Sequence, residues 1–229
     1  MCSWHHAGAH RLKPGLKKCK SSFFQYCAIF KPSLSNLREA KFSVNITMIS
    51  CCFLDGVYLK LNENTAGKRL VLSEGNRRAR TEQKVEKKVA RPENEKRFKR
   101  TQVFCDKGLE GFCYWEVEWK GTVGIAVAYE EVGRAWNSAS GLGSNDKSWN
   151  LLCSKTGYTA IHGNKSVKIS TSPCQKIGVF LDCERGTLSY YSISSSEERS
   201  LIHTFQADFK DLLYAGFWFQ KGSATLCDI

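Results

Sequence analysis

Apolar and polar residues alternate with a period of two through much of the chain from residue 51 onward. In Tyr114-Trp115-Glu116-Val117-Glu118-Trp119, glutamates separate Trp115, Val117 and Trp119, so a strand here turns one face to a core and the other to solvent. Across 122–129, large Val123, Ile125 and Val127 alternate with small Gly124, Ala126 and Ala128, the pattern of a strand pressed between two close layers. Further on, Glu184-Arg185-Gly186 sits between the apolar runs Leu181-Asp182 and Thr187-Leu188-Ser189-Tyr190-Tyr191, which predicts a short hairpin. Such runs recur at intervals of roughly ten residues between turn clusters, without a long helical period, and predict an all-β sandwich or barrel. Strands are expected at 57–61, 69–72, 102–105, 113–119, 122–129, 148–153, 158–162, 176–182, 187–192, 201–205, 214–219 and 224–227. No internal repeat of fixed period is found.

Composition divides the chain near residue 50. The first fifty residues hold eight Lys or Arg and a single acid, Glu39, without apolar patterning, and read as a basic, disordered extension. A mitochondrial presequence has the same basic, acid-poor character, but Pro14 and Gly15 interrupt any amphipathic helix. A secretory signal fits less well, because the apolar run 23–30 is short, contains Gln25 and lies far from Met1. No run reaches the ~18 apolar residues of a membrane-spanning helix. The 11 cysteines are odd in number, form no Cys-x-x-Cys, and include Cys105, Cys113, Cys153, Cys183 and Cys227 inside apolar runs. They read as reduced core thiols of a cytosolic protein. Cys2 with His5, His6 and His10 is the nearest approach to a zinc ligand set, in a segment with little to fold around it, so no metal or other cofactor is expected.

A series of phrases in fixed order then carries a family resemblance. These are Leu61-Asn62-Glu63-Asn64-Thr65-Ala66, Leu70-Val71-Leu72-Ser73-Glu74-Gly75-Asn76, Arg97-Phe98 ahead of Gln102-Val103-Phe104-Cys105, Gly111-Phe112-Cys113-Tyr114-Trp115, Asn145-Asp146-Lys147-Ser148-Trp149, the Leu181-Asp182 hairpin and Leu213-Tyr214-Ala215-Gly216-Phe217. Together they resemble the PRY-SPRY domain of tripartite-motif ubiquitin ligases, butyrophilins, fish NOD-like receptors and stonustoxin-like proteins. Leu72-Ser73-Glu74-Gly75-Asn76-Arg77 and Asn145-Asp146-Lys147-Ser148-Trp149 look most like the fish receptor and stonustoxin branch. The resemblance implies a bent two-sheet antiparallel β-sandwich of the concanavalin-like jelly-roll type. A PRY segment would span 51–105 and a SPRY domain 106–229, forming one unit. Three departures stand out: Leu61-Asn62-Glu63 replaces the usual Leu-Asp-Pro, Ala160 and Ile161 stand where a tryptophan is common, and Ala215 replaces a proline.

The family implies protein recognition by loops at one end of the sandwich, where variable chemistry is displayed on connections held by a rigid scaffold. The informative connections are 77–100, 130–145, 154–157, 163–175, 194–200 and the tip 220–223. By resemblance the surface would draw on Glu95, Lys96, Arg97 and Phe98 and on Trp149, Phe217 and Trp218. Aromatic and arginine anchors of this kind suit interface hot spots. Trp149 and Phe217 have an equally physical alternative as core residues, because large aromatics in strand patterns are usually buried. Trp136 lies in a polar loop beside Arg134 and Asn137, so both Trp136 and Arg134 are candidate contacts.

Charge is local. Residues 77–100 carry eleven Lys or Arg against four Glu, with a short charged helix conceivable across 80–89. Three readings fit: a solvated loop, a site for an acidic protein, or a site for RNA or acidic membrane. Signals for catalysis are missing: no Gly-x-Ser-x-Gly occurs, His162 and His203 lack a nucleophile at motif spacing, and Gly141-Leu142-Gly143 reads as a surface turn. Glu130-Glu131 and Glu197-Glu198 sit in loop-like surroundings. The sites Asn45-Ile46-Thr47 and Asn164-Lys165-Ser166 match a glycosylation acceptor and matter only for a secreted protein. The resulting expectation is a cytoplasmic, non-enzymatic module that binds a protein ligand and no small-molecule substrate. Innate immune signalling or ubiquitin-ligase targeting is its expected setting. The alternatives are RNA or acidic-membrane binding through 77–100, and a stonustoxin-like secreted subunit.

Overall fold

Two strands decide the architecture by bending. A computed structural model describes residues 56–82 and 94–229, which lie within one unit, Ile49–Ile229. The expected extension 1–50 falls outside the described residues, as do 51–55 and most of the expected helix 80–89. Strand β4 runs from Phe112 to Tyr129 and β11 from Leu213 to Leu226, so each joins two of the strands expected separately. They pair antiparallel along almost their whole length, with a register shift between Phe219 and Lys221. Gly121 and Gly222 face each other at the bend with φ of 92° and 133°. A Cβ on either would strike the Lys221 or Lys120 carbonyl, so only glycine lets the two backbones close here. The expected tip at 220–223 is therefore a kink inside a strand.

Each half of the bent pair nucleates one leaflet. In the first leaflet, the end of β4 pairs with β5 (Ser148–Ser154), which continues to β6 (Gly157–His162) and β7 (Lys165–Ile169), while β11 pairs on its other side with β3 (Gln102–Leu109). In the second leaflet, the start of β4 pairs with β8 (Lys176–Asp182), followed by β9 (Thr187–Ile193) and β10 (Arg199–Gln206). The end of β11 pairs there with β2 (Arg78–Thr81), which carries β1 (Leu70–Ser73) at the edge. The result is the expected all-β, bent antiparallel sandwich. Among the described residues the one helical piece is a 3-10 turn, Ser138–Ser140.

The core lies between the leaflets. Val123, Ile125, Val127, Trp149, Leu151 and Phe217 from the first meet Trp115, Val117, Ile177, Val179, Leu188 and Tyr190 from the second. The Tyr190 hydroxyl crosses the core and donates to the Ile125 carbonyl at 3.1 Å. That bond satisfies a polar group that would otherwise cost about 1–3 kcal/mol. Cys105, Cys113, Cys153, Cys174, Cys183 and Cys227 are free thiols. Burial pushes the Cys183 thiol up to about 11 and also raises Cys105 and Cys153, which disfavours the thiolate form at neutral pH.

Several expectations change. Residues 57–61 form no strand; Leu61 makes a single bridge to Cys105. The basic stretch from 77 is not all loop, since Arg78–Thr81 is β2 and its Arg80 is strand instead of helix. Arg77 is buried and donates to the Leu226 and Leu59 carbonyls, closing the β1–β2 turn onto the end of β11. Within 163–175, Lys165–Ile169 forms the edge strand β7. Arg78 and Arg80 alternate with buried Ala79, yet Lys and Arg are weak strand formers, so the charge pattern hides the strand.

Candidate functional site

The alternation along β11 sorts its residues onto two faces. Leu213, Ala215, Phe217 and Phe219 point into the core, while Tyr214 and Trp218 pack with a second cluster on the outer side of the first leaflet. The same rule places Gly124, Ala126 and Ala128 of β4 outward. Their small size leaves a shallow bed, because a Cβ at Gly124 would already meet the Asn150 side chain at 2.5 Å. The small residues thus face the Asn150 side chain of neighbouring β5 and the connections that carry Val132 and Leu142 instead of a second sheet.

Two connections fill the bed. From residues 94–100, Phe98 is buried and meets Phe104 of β3 edge to face at 5.0 Å, and Phe104 stacks on Tyr214 at 5.9 Å. From the loop between β4 and β5, Val132 and Leu142 enter the same cluster. Arg134 joins the two connections. Its guanidinium lies over Phe98 at 4.1 Å and Phe104 at 4.7 Å, and its Nη2 donates to the Glu130 carbonyl at 2.9 Å. Burial lowers the Arg134 pKa, opposed by the charge of Glu130. An arginine over two rings is worth about 2 kcal/mol when desolvated, more than an exposed ion pair gives.

Further bonds clamp the connections together. The Lys99 amide donates to the Arg134 carbonyl at 2.9 Å, Lys96 Nζ meets Glu130 Oε1 at 3.1 Å, and Arg100 Nε donates to the Asn137 carbonyl at 2.9 Å. Gln102 bridges from below: its Nε2 donates to the Ser140 carbonyl and its Oε1 accepts from the Leu142 amide, each at 3.1 Å. Asn137 caps the 3-10 turn by accepting from the Ser140 amide. With its base held this way, Trp136 stands 66% exposed, its ring 5.5 Å from the Arg100 guanidinium.

The nine expected site residues divide accordingly. Trp136, Trp218, Arg134 and Lys96 have solvent-facing surface and share this face, and Glu95 is exposed next to Lys96 in the chain. Phe98 lies beneath it as a support. Arg97 is 2% exposed, and its Nη1 donates to the Glu63 and Ala66 carbonyls at 2.9 and 2.7 Å, which makes it a staple for the 61–67 turn. Trp149 and Phe217 are core residues, so as contacts they are corrected. Trp149 stacks on His162 at 4.7 Å and meets Phe209 at 5.0 Å, while Phe217 is 1% exposed. Tyr214, Arg100 and Glu130 belong to the face and were missed. The signal for Tyr214 was its place out of phase with Leu213, Ala215 and Phe217. Nothing local in the sequence marks Arg100 or Glu130.

Among the described residues no group of His, Cys, Asp or Glu is placed to hold a metal ion. Cys2, His5, His6 and His10 lie outside them. No helix among them is long and apolar enough to cross a membrane.

Comparison with known proteins agrees with this geometry. Residues 112–227 match the SPRY domain family. Stonustoxin subunit beta of Synanceia horrida is 39% identical over 165 residues, 69% of this chain and 23% of the toxin subunit. Nuclear factor 7, brain, of Xenopus laevis is 37% identical over 145 residues, 56% of this chain and 21% of that protein. The solved stonustoxin structure superposes with a TM-score of 0.71 at 31% identity, covering 75% of this chain and 29% of that one. The crystal structure of the TRIM65 PSpry domain also gives 0.71, at 22% identity over 87% of this chain and 100% of its own, a likeness of fold. The chain thus spans less than a quarter of the length of these curated relatives.

Proposed function

Because the chain belongs to the SPRY domain family, whose members are protein-interaction modules, we propose that it captures a protein ligand on the outer face of the first leaflet. The observation that carries this is the pairing of an exposed ring with a braced base. Trp136 stands out from a turn held by Asn137, Ser140 and Gln102, and half-buried Trp218 and Tyr214 pack on the same cluster whose Phe98 and Phe104 lie under Arg134. Such a surface loses little side-chain entropy on binding and offers tryptophan and arginine anchors. The working location is the cytoplasm, with innate immune signalling or ubiquitin-ligase targeting as the setting. The family fold does not choose among ligands.

The test is capture from cell lysate by the full chain and by a Trp136→Ala/Trp218→Ala variant, with folding of both checked by near-ultraviolet circular dichroism. A protein retained at raised salt by the parent and lost from the folded variant supports the reading. Equal capture by both overturns it.

The identity to stonustoxin subunit beta favours a second reading, a secreted toxin-like subunit. It makes a separate prediction at Asn164, which is exposed in the β6–β7 turn and begins the acceptor Asn164-Lys165-Ser166. Passage through the secretory route would add a glycan there. A mass shift removed by endoglycosidase, reduced in Asn164→Gln and absent from Asn45→Gln/Asn164→Gln would favour secretion over the cytoplasm.

A further inference from the structure

Where β4 and β11 bend, the surface holds a groove of about 960 Å³ that no single stretch of sequence announces. Arg80 reaches it from β2, Lys120 and Lys221 from the two bent strands, and Lys155 from the β5–β6 turn. Register explains the convergence. Ser223 pairs with Arg80 on one side and with Lys120 on the other, so a hydroxyl is flanked by two cations on one face of the sheet, about 10 Å apart across two strand spacings. Lys221 pairs with Thr122 just past the kink. Gly121 and Gly222 also line the groove, and without side chains they leave room for a ligand to approach the backbone.

Among the described residues the positive charge there is only partly compensated. Lys120, Lys155 and Lys221 are exposed, and no described carboxylate pairs with them. The one acid among the described residues of the lining, Glu82, lies 3.7 Å from Arg80. Like charges gathered in a concavity raise a positive potential and draw in an anion. The shape and lining narrow its class. A flat bilayer does not enter a concave groove, and among the described residues no aromatic ring lines it on which an unpaired base could stack. Hydroxyls of Thr122, Thr156 and Ser223 and the point charges of lysine suit carboxylates instead. Thr122 also lies two residues from outward-facing Gly124, the cross-strand partner of Trp218, so the groove borders the face already described.

We propose that this groove binds an acidic polypeptide segment, its carboxylates seated among Arg80, Lys120, Lys155 and Lys221. The assignment rests on the reading of the chain as a protein-recognition module and adds the chemistry of one part of its ligand.

The test uses the full chain and a fluorescent ten-residue poly-glutamate peptide followed by anisotropy. A labelled oligothymidylate and phosphatidylserine-containing vesicles serve as competing probes. The parent is compared with Lys120→Glu/Lys155→Glu/Lys221→Glu and with Lys165→Glu/Lys168→Glu/Lys210→Glu, which changes net charge equally at exposed positions outside the groove. Circular dichroism checks folding, and Lys120→Gln/Lys155→Gln/Lys221→Gln replaces the reversal if that unfolds. Peptide binding should weaken roughly tenfold or more in the groove variant and stay within about twofold in the control. Equal loss in both, no binding by the parent, or groove dependence seen only with the oligonucleotide or vesicles overturns the proposal. Trp136→Ala/Trp218→Ala separates the two readings: it should keep the peptide and lose the captured protein. Loss of the captured protein without any groove dependence of the peptide leaves the recognition face standing and removes the groove.

Discussion

The outer faces of the two leaflets are built from the same two strands and end in opposite states. On the first, β4 presents Gly124, Ala126 and Ala128, and the bed they leave is filled by rings and by loops that carry Trp136 outward. On the second, the same strand presents Glu116, which settles its own charge. Glu116 Oε2 meets Lys176 Nζ at 2.8 Å, its Oε1 accepts from the Tyr114 hydroxyl at 2.7 Å and lies 3.5 Å from Arg199 Nη2, and Lys176 also reaches Glu197 at 3.4 Å. Around Glu116 the second face completes its own hydrogen bonds and has little left to offer a ligand, whereas the first is padded with rings, and the exposed cations of the groove gather apart from Glu116, at the bend that joins the two. Outward residue size on one strand thus separates a recognition surface from a structural one.

The sharpest break of that contrast lies between adjacent residues. Phe217→Ala should cost about 3–5 kcal/mol in urea denaturation, because it opens a cavity in the core shared by both leaflets. Trp218→Ala, one position on but facing outward, should cost only about 1 kcal/mol, since its ring packs on the outer cluster and is only partly buried. If the two losses were equal, the assignment of opposite faces along β11 would fail.

Arg134→Ala comes next. It removes the cation above Phe98 and Phe104 and the tie to the Glu130 carbonyl, and should lower stability by about 1–2 kcal/mol. Proteolysis should then cut within 130–145 before the rest of the domain, whereas a uniform digestion pattern would show that Arg134 does not join the loops.

On the second leaflet the corresponding perturbation is pH. Burial pushes the Glu116 carboxyl up, but hydrogen bonds from Lys176 and Tyr114 and the charges of Lys176 and Arg199 together hold it below its ordinary 4.5. A carboxylate depressed in the folded state contributes stability that is fully present above its unfolded pKa and is lost as pH falls through the lower, folded value. Glu116→Gln should therefore cost about 1 kcal/mol at neutral pH, with the gap from the parent closing below pH 4.5. A gap that stayed constant into acid would mean that shape, not charge, holds this face.

Much of the sandwich was legible because period-two alternation over β-branched and aromatic residues has one physical meaning. The large residues of 122–129 marked the core face of β4, while the phase of Leu213, Ala215 and Phe217 held a signal for Tyr214 that the family resemblance, by setting Phe217 beside Trp218 as a contact, obscured. What stayed hidden depends on contacts distant in sequence. β2 reads as a basic loop because Arg78 and Arg80 mask the buried Ala79 between them. The bend at Gly121 and Gly222 is visible only once the two strands are paired. Trp149 resembles a contact by motif but is drawn inward by His162 and Phe209, neither of which its own segment contains. The cations of the groove come from four segments, so no local charge count could find them.

The smallest effect on stability should belong to the residue most exposed to a ligand. Trp136 packs on little besides the Arg100 guanidinium, so Trp136→Ala should change unfolding free energy by less than about 0.5 kcal/mol. A ring of this size at an interface centre costs about 2 kcal/mol or more in binding, so ligand affinity should fall at least tenfold while the melting curve stays put. The two readouts move apart only if the ring is displayed for a partner. Were stability to drop with affinity, Trp136 would be a covering residue of the same kind as Phe98, and the contrast between the faces would rest on Trp218 and Tyr214 alone.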